Sequence, residues 1–407
     1  MKMLHDAGRC VCLLLTFVYG ACAVPTLYAE ESYECGTVIS PVEAARLKEI
    51  DRNIGHHAVQ RGTQVYYVPL VFHVVRQSNG TGGLTPAQVC EALDLLDSSY
   101  LAMNIQFFLM GPVDYINSDA FYLNIDTLAE INTLRTTNLI PTAINIYFTP
   151  NLSYESGSLC GISAFTTSSV QSIAMRNSCS PPGNYSTLPH EVGHYFNLYH
   201  THETAFGAEF VNGANCSTRG DLVCDTPADP NLGTGNVTAA PACVYTGTTL
   251  DPNGQSYSPD TKNYLSYSLK ACRDHFSSGQ DARAYNTLVN LRPELAFTEL
   301  PGPVDCNGNS VRDGCDIAQG SSADCDANGL PDECQADCDA DGLIDGCDLK
   351  GDINLDSAID NADLSTFVNV LLGLDDIPTH VEQSEMNCDA VINGSDIPGF
   401  VGAFTGF

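Results

Sequence analysis

Hydrophobic and polar positions fall into regular blocks through the first 300 residues. The run Tyr66–Val75 is rich in β-branched and aromatic residues, which is typical of a buried strand. In the next block the apolar positions recur at helical spacing, at Val89, Leu93, Leu96 and Tyr100. Thr85 is the predicted N-cap of this helix, and Pro86 suits its first turn. Further strands are predicted at Ile105–Phe108 and Ile144–Phe148, and the whole order predicts an α/β (α+β) domain.

Outside this block the distribution of apolar and polar residues changes. Residues 24–61 are mostly polar, with one short helical pattern from Val42 to Ile50. Residues 301–350 have almost no apolar periodicity, and residues 351–407 regain apolar positions in two short helical patterns. With an N-terminal segment 1–23, these changes predict five regions: 1–23, 24–61, 62–300 as the main folded domain, 301–350 and 351–407.

The composition allows folded domains and indicates a cationic partner for the C-terminal part. Apolar residues make up 43% of the 407 positions, enough for a core. The formal net charge is −32, and residues 301–407 hold 22 acidic residues against two basic ones, Arg312 and Lys350. Such a chain cannot neutralise phosphates, so we expect no nucleic-acid partner, and bound Ca²⁺ suits the acidic part.

Residues 1–23 have the pattern of an export signal. Lys2 and Arg9 precede a nearly all-apolar run, and Ala21-Cys22-Ala23 offers small residues for cleavage after Ala23. A membrane anchor or a lipid on Cys22 are the alternatives, but about fifteen apolar residues do not cross a bilayer. We therefore expect a secreted, extracellular or cell-surface protein without a membrane span, in which most of the 18 cysteines form disulfides.

The candidate chemistry is concentrated in the segment from His190 to His200. His190 and His194 are four residues apart, so on a helix both imidazoles face one side and can reach one Zn²⁺. Glu191 is then placed to act as general base on a water molecule. His200 can be the third ligand only if the helix ends and the chain turns back. Asn197 tolerates the left-handed backbone that such a turn requires.

Two alternatives and one local constraint accompany this assignment. A structural zinc site usually closes its fourth position with Cys or His, whereas here a glutamate stands beside it. His202 could replace His200 as a ligand, but it lies beyond the expected turn. Pro189 fits a helix only in its first turn, so we expect the helix to begin near Thr187, with Ser186 or Thr187 as cap.

The pattern from His190 to His200 resembles the zinc signature of the metzincins, with Asn197 where those enzymes have glycine. Further segments narrow the resemblance to the pappalysin type: Asp225-Thr226-Pro227, Asn263-Tyr264-Leu265-Ser266-Tyr267-Ser268, Cys272, Phe276 and Gly279-Gln280. The match covers about Val65 to Leu300. It implies a metzincin-like domain with an active-site helix and a twisted sheet.

The same resemblance implies roles for two further residues. The Tyr267 hydroxyl would lie beside the zinc and help to polarise the substrate carbonyl. Leu265 would occupy the position beneath the histidines where these enzymes have methionine. Met and Leu have similar volumes, so we expect the floor of the site to survive this exchange at a cost under about 1.5 kcal/mol.

These features predict a secreted zinc metalloendopeptidase that hydrolyses extracellular proteins or peptides. The peptide would bind extended along a sheet edge, for which the resemblance suggests Gly161–Phe165. A non-catalytic adhesive protein is the rival class, and the complete ligand set beside Glu191 argues against it. A glycan hydrolase or glycan-binding protein is a third class, disfavoured by the absence of Trp and of a paired-carboxylate signature.

Cysteines of the main domain have several pairings open to them. Cys216, Cys224, Cys243 and Cys272 permit three, and the resemblance favours Cys216–Cys243 and Cys224–Cys272. A bridge between Cys160 and Cys179 is also expected.

Cys35 lies in residues 24–61, which the resemblance implies are a pro-segment, and it is a candidate latency ligand. A thiolate binds zinc strongly, and the pro-segments of related proteases place a cysteine on the metal until the segment is cut away. The alternative is an ordinary disulfide, for example to Cys90.

Three near-copies of an acidic, cysteine-containing loop follow in the tail. Each has oxygen donors at its first, third, fifth and ninth positions, a spacing that suits a loop around calcium and resembles thrombospondin type 3 repeats. A solvated acidic linker would explain the charge but not the repeat. The candidate calcium ligands are Asp305, Asn307, Asn309, Asp313, Asp324, Asp326, Asn328, Asp332, Asp337, Asp339, Asp341 and Asp345.

Residues 351–407 follow the plan of two EF-hand loops. The candidate ligands are Asp352, Asn354, Asp356, Ala358 through its carbonyl, Asp360 and Asp363 in the first copy, and Asn387, Asp389, Asn393 and Asp396 in the weaker second copy. The duplicated loop and helix resemble an α-helical dockerin module. That resemblance implies a cohesin-like scaffold or a cell-surface partner that tethers the enzyme.

Overall fold

The computed structural model describes residues 34–54, 62–154, 157–233, 235–300, 305–309, 311–325, 329–335, 344, 347, 349–356, 358–387, 389 and 391–405. The predicted export signal lies outside the described residues. So do six of the candidate calcium ligands: Asp326, Asn328, Asp337, Asp339, Asp341 and Asp345.

The described residues contain eight strands, which form a mostly parallel sheet. They are β1 (Glu34–Cys35), β2 (Tyr66–Arg76), β3 (Ile105–Leu109), β4 (Asp114–Asn117), β5 (Ile144–Thr149), β6 (Ser153–Tyr154), β7 (Gly157–Ile162) and β8 (Ile173–Arg176). The strand order is β1-β7-β8-β5-β2-β3, with β4 beside β2 and β6 beside β7. Only the β6–β7 and β7–β8 pairs are antiparallel. The three predicted strands are confirmed, each extended by one residue.

Ten α-helices are described. They are α1 (Pro41–Ile54), α2 (Pro86–Tyr100), α3 (Asp119–Leu123), α4 (Leu128–Leu134), α5 (Thr187–Tyr195), α6 (Ser278–Leu291), α7 (Asp313–Gln319), α8 (Asn361–Leu371), α9 (Pro378–Glu382) and α10 (Ile397–Thr405). Thr85 caps α2 as predicted, since its hydroxyl accepts from the Gln88 N–H while the Gln88 side chain accepts from the Thr85 N–H. No helix among the described residues is long and apolar enough to cross a membrane.

The main core lies on one face of the sheet, where the strands pack against α2, α5 and α6. Alternate residues of β2, from Val68 to Val74, point into it, and α2 contributes Leu93 and Leu96. A second core on the opposite face contains Val75 and Tyr147. Because β2 is buried on both faces, its sequence is apolar at nearly every buried position, with His73 as the exception.

Helix α5 is buried along its whole length, with every residue from Thr187 to Tyr195 shielded from solvent. The Tyr100 hydroxyl of α2 donates to the Pro189 carbonyl over 2.8 Å. That carbonyl belongs to the first turn of α5, so the contact fixes the start of the helix against α2. The core thereby sets the position of the histidine-bearing helix.

The first tail repeat is joined to the main core. Cys315 of α7 is 3% exposed and forms a disulfide with Cys90 of α2. Two other disulfides, Cys306–Cys334 and Cys325–Cys347, each connect one repeat to the next rather than closing a loop on itself. Farther along, Phe367 of α8 stacks on Phe400 of α10 with ring centroids 4.2 Å apart.

The disulfide pattern corrects part of the sequence-based pairing. Cys160–Cys179 is confirmed, but the pairs Cys216–Cys243 and Cys224–Cys272 are wrong: the structure pairs Cys216 with Cys224 and Cys243 with Cys272. Their Cα atoms are 5.0 and 5.7 Å apart, within the range a disulfide spans. The short link forms because the chain between residues 216 and 224 folds back, with Gly220 and Leu222 at positive φ.

Candidate active site

The start of α5 is held by a residue that the sequence reasoning missed. The helix begins at Thr187, as predicted, and Pro189 lies in its first turn. Ser186 occupies the N-cap position but makes no side-chain capping bond. Instead the Asn184 carboxamide oxygen accepts from the N–H groups of Ser186 and Thr187, at 2.9 and 3.1 Å. An asparagine three residues before a helix start is a turn signal that could have indicated this.

The turn after α5 has the predicted left-handed residue. Asn197 has φ of 58° and is fully buried. Its side-chain oxygen accepts from the Thr166 N–H at 2.9 Å, and its side-chain nitrogen donates to the Thr166 hydroxyl at 2.8 Å. The Leu198 N–H then donates back to the Gly193 carbonyl. These bonds reverse the chain and return His200 towards the helix.

Three imidazoles converge on one point. The Nε2 atoms of His190, His194 and His200 lie 3.1–3.2 Å from one another. Nδ1 of His190 donates to the Tyr264 carbonyl and Nδ1 of His194 to the Leu198 carbonyl, at 2.6 and 2.8 Å. A carbonyl only accepts, so the proton sits on Nδ1 and each of these two Nε2 atoms presents a lone pair.

Burial keeps these rings neutral. It lowers the pKa of His194 to about 4, and it lowers the pKa of His190 and His200 well below the usual value. Lone pairs facing one another repel unless a cation lies between them. A tetrahedral zinc with Zn–N bonds of about 2.0–2.1 Å holds its ligand atoms about 3.3–3.4 Å apart, close to the spacing seen here. The residues therefore fit a zinc ion.

Glu191 lies beside this cluster and is fully buried. One carboxylate oxygen accepts from the Thr37 hydroxyl at 3.2 Å, and among the described residues the other oxygen has no hydrogen-bond partner. Burial raises the pKa of Glu191 to about 7. Gly161 of β7 makes room for this side chain, because a Cβ at that position would lie 2.5 Å from the Glu191 Cγ. The sequence alone gave no reason for this glycine.

Cys35 is a free cysteine and lies at the same point. Its sulfur and one ligand atom from each of the three histidines all lie within 4.8 Å of one another. The proposed alternative, a disulfide to Cys90, is wrong because Cys90 is bonded to Cys315. Burial, followed by repulsion from Glu191, raises the pKa of the Cys35 thiol.

The strand that carries Cys35 covers the expected peptide-binding edge. β1 pairs in parallel with β7, and the Gly36 N–H donates to the Gly161 carbonyl at 2.8 Å. Of the predicted edge Gly161–Phe165, the first two residues belong to β7, and Ser163–Phe165 continue beyond its end. Without β1, the part of β7 that β1 now covers would be a free edge of the sheet.

Tyr267, Leu265 and His202 surround the cluster. The Tyr267 ring lies 4.8 Å from the His200 ring, and its hydroxyl donates to the Cys35 carbonyl at 3.5 Å. Leu265 is fully buried, and a Cβ on Gly193 of α5 would lie 3.2 Å from its Cδ2, so it forms a floor under the helix. His202 stacks on the His200 ring, with centroids 4.9 Å apart, and lies outside the converging group of nitrogens.

The two loops for which the sequence predicted the EF-hand plan, 352–363 and 385–396, each bury their last carboxylate. The fully buried Asp363 accepts from the N–H groups of Asn354 and Asp360, at 3.0 and 2.8 Å. The fully buried Asp396 accepts in the same way from Met386 and Asn393. In both loops the backbone therefore wraps around the carboxylate at position twelve.

In the first two acidic repeats, an aspartate late in the repeat accepts from the N–H group of a cysteine near its start. The Asp313 carboxylate accepts from the Cys306 N–H at 2.8 Å, and Asp332 accepts from the Cys325 N–H at 3.0 Å. The cysteine sulfurs next to these carboxylates are in disulfides, so they cannot act as metal ligands.

Comparison with known proteins identifies relatives of this chain. Residues 170–289 match the peptidase M43 family, described as pregnancy-associated plasma protein-A. An "Extracellular metalloprotease" of Sordaria macrospora is 32% identical over 232 residues, which cover 53% of this chain and 72% of that protein. One of the same name from Pyricularia oryzae is 27% identical over 299 residues, covering 68% and 95%. Among solved structures, a promirolysin mutant from Tannerella forsythia matches with a TM-score of 0.47 and 18% identity, covering 65% of this chain and 97% of that one.

The left-handed turn generates a stability prediction. Asn197→Ala should lower the free energy of unfolding by about 2–3 kcal/mol, because alanine disfavours this backbone conformation and leaves the Thr166 groups unpaired. Glycine also lacks the hydrogen bonds to Thr166, but it adopts the left-handed backbone without a steric penalty. Asn197→Gly should therefore be more stable than Asn197→Ala by about 1 kcal/mol. Urea unfolding in the presence of a chelator measures both variants without a contribution from bound metal. Equal stability of the two variants would contradict the prediction.

Proposed function

This chain belongs to the family of extracellular metalloproteases and is a secreted zinc metalloendopeptidase, and we propose that His190, His194 and His200 hold its zinc. The observation that carries this proposal is the convergence of three Nε2 atoms at 3.1–3.2 Å, with Nδ1 of two rings engaged by carbonyls. Glu191 is the proposed general base. Tyr267 is proposed to bind the oxygen of the scissile carbonyl.

Each of these side chains has a defined task in peptide hydrolysis. Zinc, when bound, supplies Lewis acidity towards the scissile carbonyl and the attacking water. Glu191 would take a proton from that water and pass it to the leaving amine. The Tyr267 hydroxyl would donate to the developing oxyanion. The backbone of β7 supports an extended peptide by strand addition, which is the way β1 lies on it here.

The role of Glu191 is tested by Glu191→Gln in the chain freed of its pro-segment. The amide cannot accept the proton, so kcat/KM for a fluorogenic peptide should fall by about 10²–10⁴-fold while one zinc per chain is retained. Glu203→Gln is the matched control, because among the described residues this nearby carboxylate accepts from the Thr204 and Ala205 N–H groups and from no others. A Glu191→Gln enzyme with undiminished kcat/KM would refute the assignment.

The segment before the main domain is proposed to hold the enzyme latent. The Cys35 sulfur lies at the histidine cluster, where it would occupy the fourth ligand position of zinc. Two further contacts of the same segment would add to the inhibition by Cys35. The Thr37 hydroxyl donates to the Glu191 carboxylate, and β1 covers the β7 edge that a peptide would use. Metal, base and peptide-binding edge would thus all be occupied by one short segment.

Latency predicts that Cys35→Ala makes the uncut chain active. The intact variant should hydrolyse a peptide substrate at least about tenfold faster than the intact wild type, because alanine offers no metal ligand. Mass spectrometry would confirm that both chains are uncut. Val38→Ala, at a side chain of the same segment that is 75% exposed, should leave the wild-type rate unchanged. Self-processing of wild type without self-processing of Cys35→Ala would count against a latency role.

The tail is proposed to bind calcium and to tether the enzyme. The spacing of Asp352, Asn354, Asp356, Ala358, Asp360 and Asp363, and its partial copy in the second loop, supports EF-hand-like, dockerin-type sites. The described ligands of the first two repeats support thrombospondin type 3-like sites, Asp305, Asn307, Asn309 and Asp313 in one and Asp324 and Asp332 in the other.

An apolar surface on the last helices supports a docking role. α8 exposes Leu364 and Val368, and its C-cap residue Leu372 is exposed as well; their four-residue spacing places them in one stripe along the helix. α10 exposes Ile397 and Val401 in the same spacing. Such a stripe is suited to a protein partner, and a cohesin-like scaffold or a cell-surface protein is the proposed one.

Calcium binding by the last module is tested on the full-length chain by isothermal titration calorimetry. Asp363→Asn and Asp396→Asn should each abolish one class of sites or weaken it at least about tenfold, because a charged ligand at position twelve is lost. Asp376→Asn, an exposed aspartate outside both loops, is the control and should titrate like wild type. A wild-type chain that gives no heat with calcium would refute the proposal.

A further inference from the structure

Arg283 of α6 is a buried cation that contacts the turn between the second and third histidines. Its Nε donates to the Asn197 carbonyl at 2.7 Å. One terminal nitrogen donates to both carboxylate oxygens of Asp51, in α1 of the pro-segment, at 2.9 and 3.0 Å. The guanidinium also lies over the Tyr199 ring, 4.3 Å from its centroid. Arg283 thus links α6, the pro-segment and the turn.

The Asn197 carbonyl is a group that needs such a partner. Carbonyls at and beyond the end of a helix have no acceptor role within the helix, and a buried one requires a donor from elsewhere. A cation is favoured at this end because the helix dipole is negative there. The left-handed backbone of Asn197 is also costly by itself, so the turn persists only where its surroundings hold it.

Thr166 and Arg283 form hydrogen bonds with different parts of Asn197. Thr166 bonds the Asn197 side chain, whereas Arg283 bonds its backbone carbonyl. Only two residues separate Asn197 from His200, so a shift of that peptide unit moves the His200 ring directly. Tyr199, on which the guanidinium stacks, is the residue immediately before His200.

We propose that Arg283 is a positioning residue of the zinc site: its hydrogen bond to the Asn197 carbonyl fixes the turn that brings His200 to the other two histidines. This rests on the proposed zinc ligands. Arg283 itself touches neither metal nor substrate. Its bond to Asp51 is separate, because Asp51 belongs to the pro-segment, whereas Asn197 and Tyr199 belong to the enzyme itself.

Arg283→Lys tests the proposal selectively. Lysine keeps the positive charge, but it has a methylene where arginine has Nε, so the bond to the Asn197 carbonyl is lost. Arg135→Lys is the matched control. Arg135 is equally buried, at 4% exposure, and one of its terminal nitrogens donates to the backbone carbonyls of Val170 and Ser172, which are not part of the turn.

The readout is the rate at which a chelator removes zinc from the chain freed of its pro-segment. Arg283→Lys should lose zinc about tenfold faster than wild type, as expected when a group that supports metal ligands is removed. Arg135→Lys should stay within about twofold of wild type. With saturating zinc, kcat of Arg283→Lys should fall while KM is unchanged. Zinc loss from Arg283→Lys at the wild-type rate, or no faster than from Arg135→Lys, would overturn the proposal.

A second measurement needs no variant and remains available should Arg283→Lys not fold. Hydrogen exchange of the Leu198 amide is followed in the wild-type chain with and without zinc. If Arg283 holds the turn, this amide stays protected in the zinc-free protein. If protection disappears with the metal, zinc and not Arg283 holds the turn, and the inference fails. A wild-type chain that binds no zinc at all would instead refute the proposed ligands.

Discussion

Three neutral imidazoles facing one another are the constraint on which the centre of this protein depends. Their nitrogens are 3.1–3.2 Å apart in a buried site where protonation is disfavoured, so the arrangement makes physical sense around a cation. Contacts from several other parts of the fold hold the three rings in place. Carbonyls of Tyr264 and Leu198 orient two rings, and the turn at Asn197 delivers the third. The sheet and α2 hold the helix that carries the first two.

The close approach of β7 to α5 joins this centre to the proposed peptide-binding edge. Gly161 has no side chain, so the backbone of β7 can lie directly against Glu191. The same residue offers its carbonyl to a neighbouring strand, as it does to Gly36. A peptide bonded at this position would have its backbone next to Glu191. One glycine therefore sets both the room for the Glu191 side chain and the path of the proposed substrate.

The sequence predicted those features that depend on local spacing. The helix start at Thr187, the left-handed Asn197 and the three strands of the core follow from residue types at fixed intervals, and all are found. Features that depend on contacts between distant segments were missed or wrong. The pairing of Cys243 with Cys272 and the contact of Arg283 with Asn197 join residues whose proximity is decided by the tertiary fold. Periodicity carries no information about such contacts.

The predicted boundary near residue 300 shows the same limit of periodicity. The structure joins the start of the acidic tail to the main domain. Loss of apolar periodicity after Leu300 indicated a separate region, yet Cys315 lies in the main core and is bonded to Cys90. α2, which holds Cys90, also donates the Tyr100 hydroxyl to the first turn of α5. The first repeat and the histidine-bearing helix therefore pack against the same helix. Close packing at such a core leaves no flexible linker between the first repeat and the rest of the domain, so the first repeat is part of the same packed unit as the histidine-bearing helix.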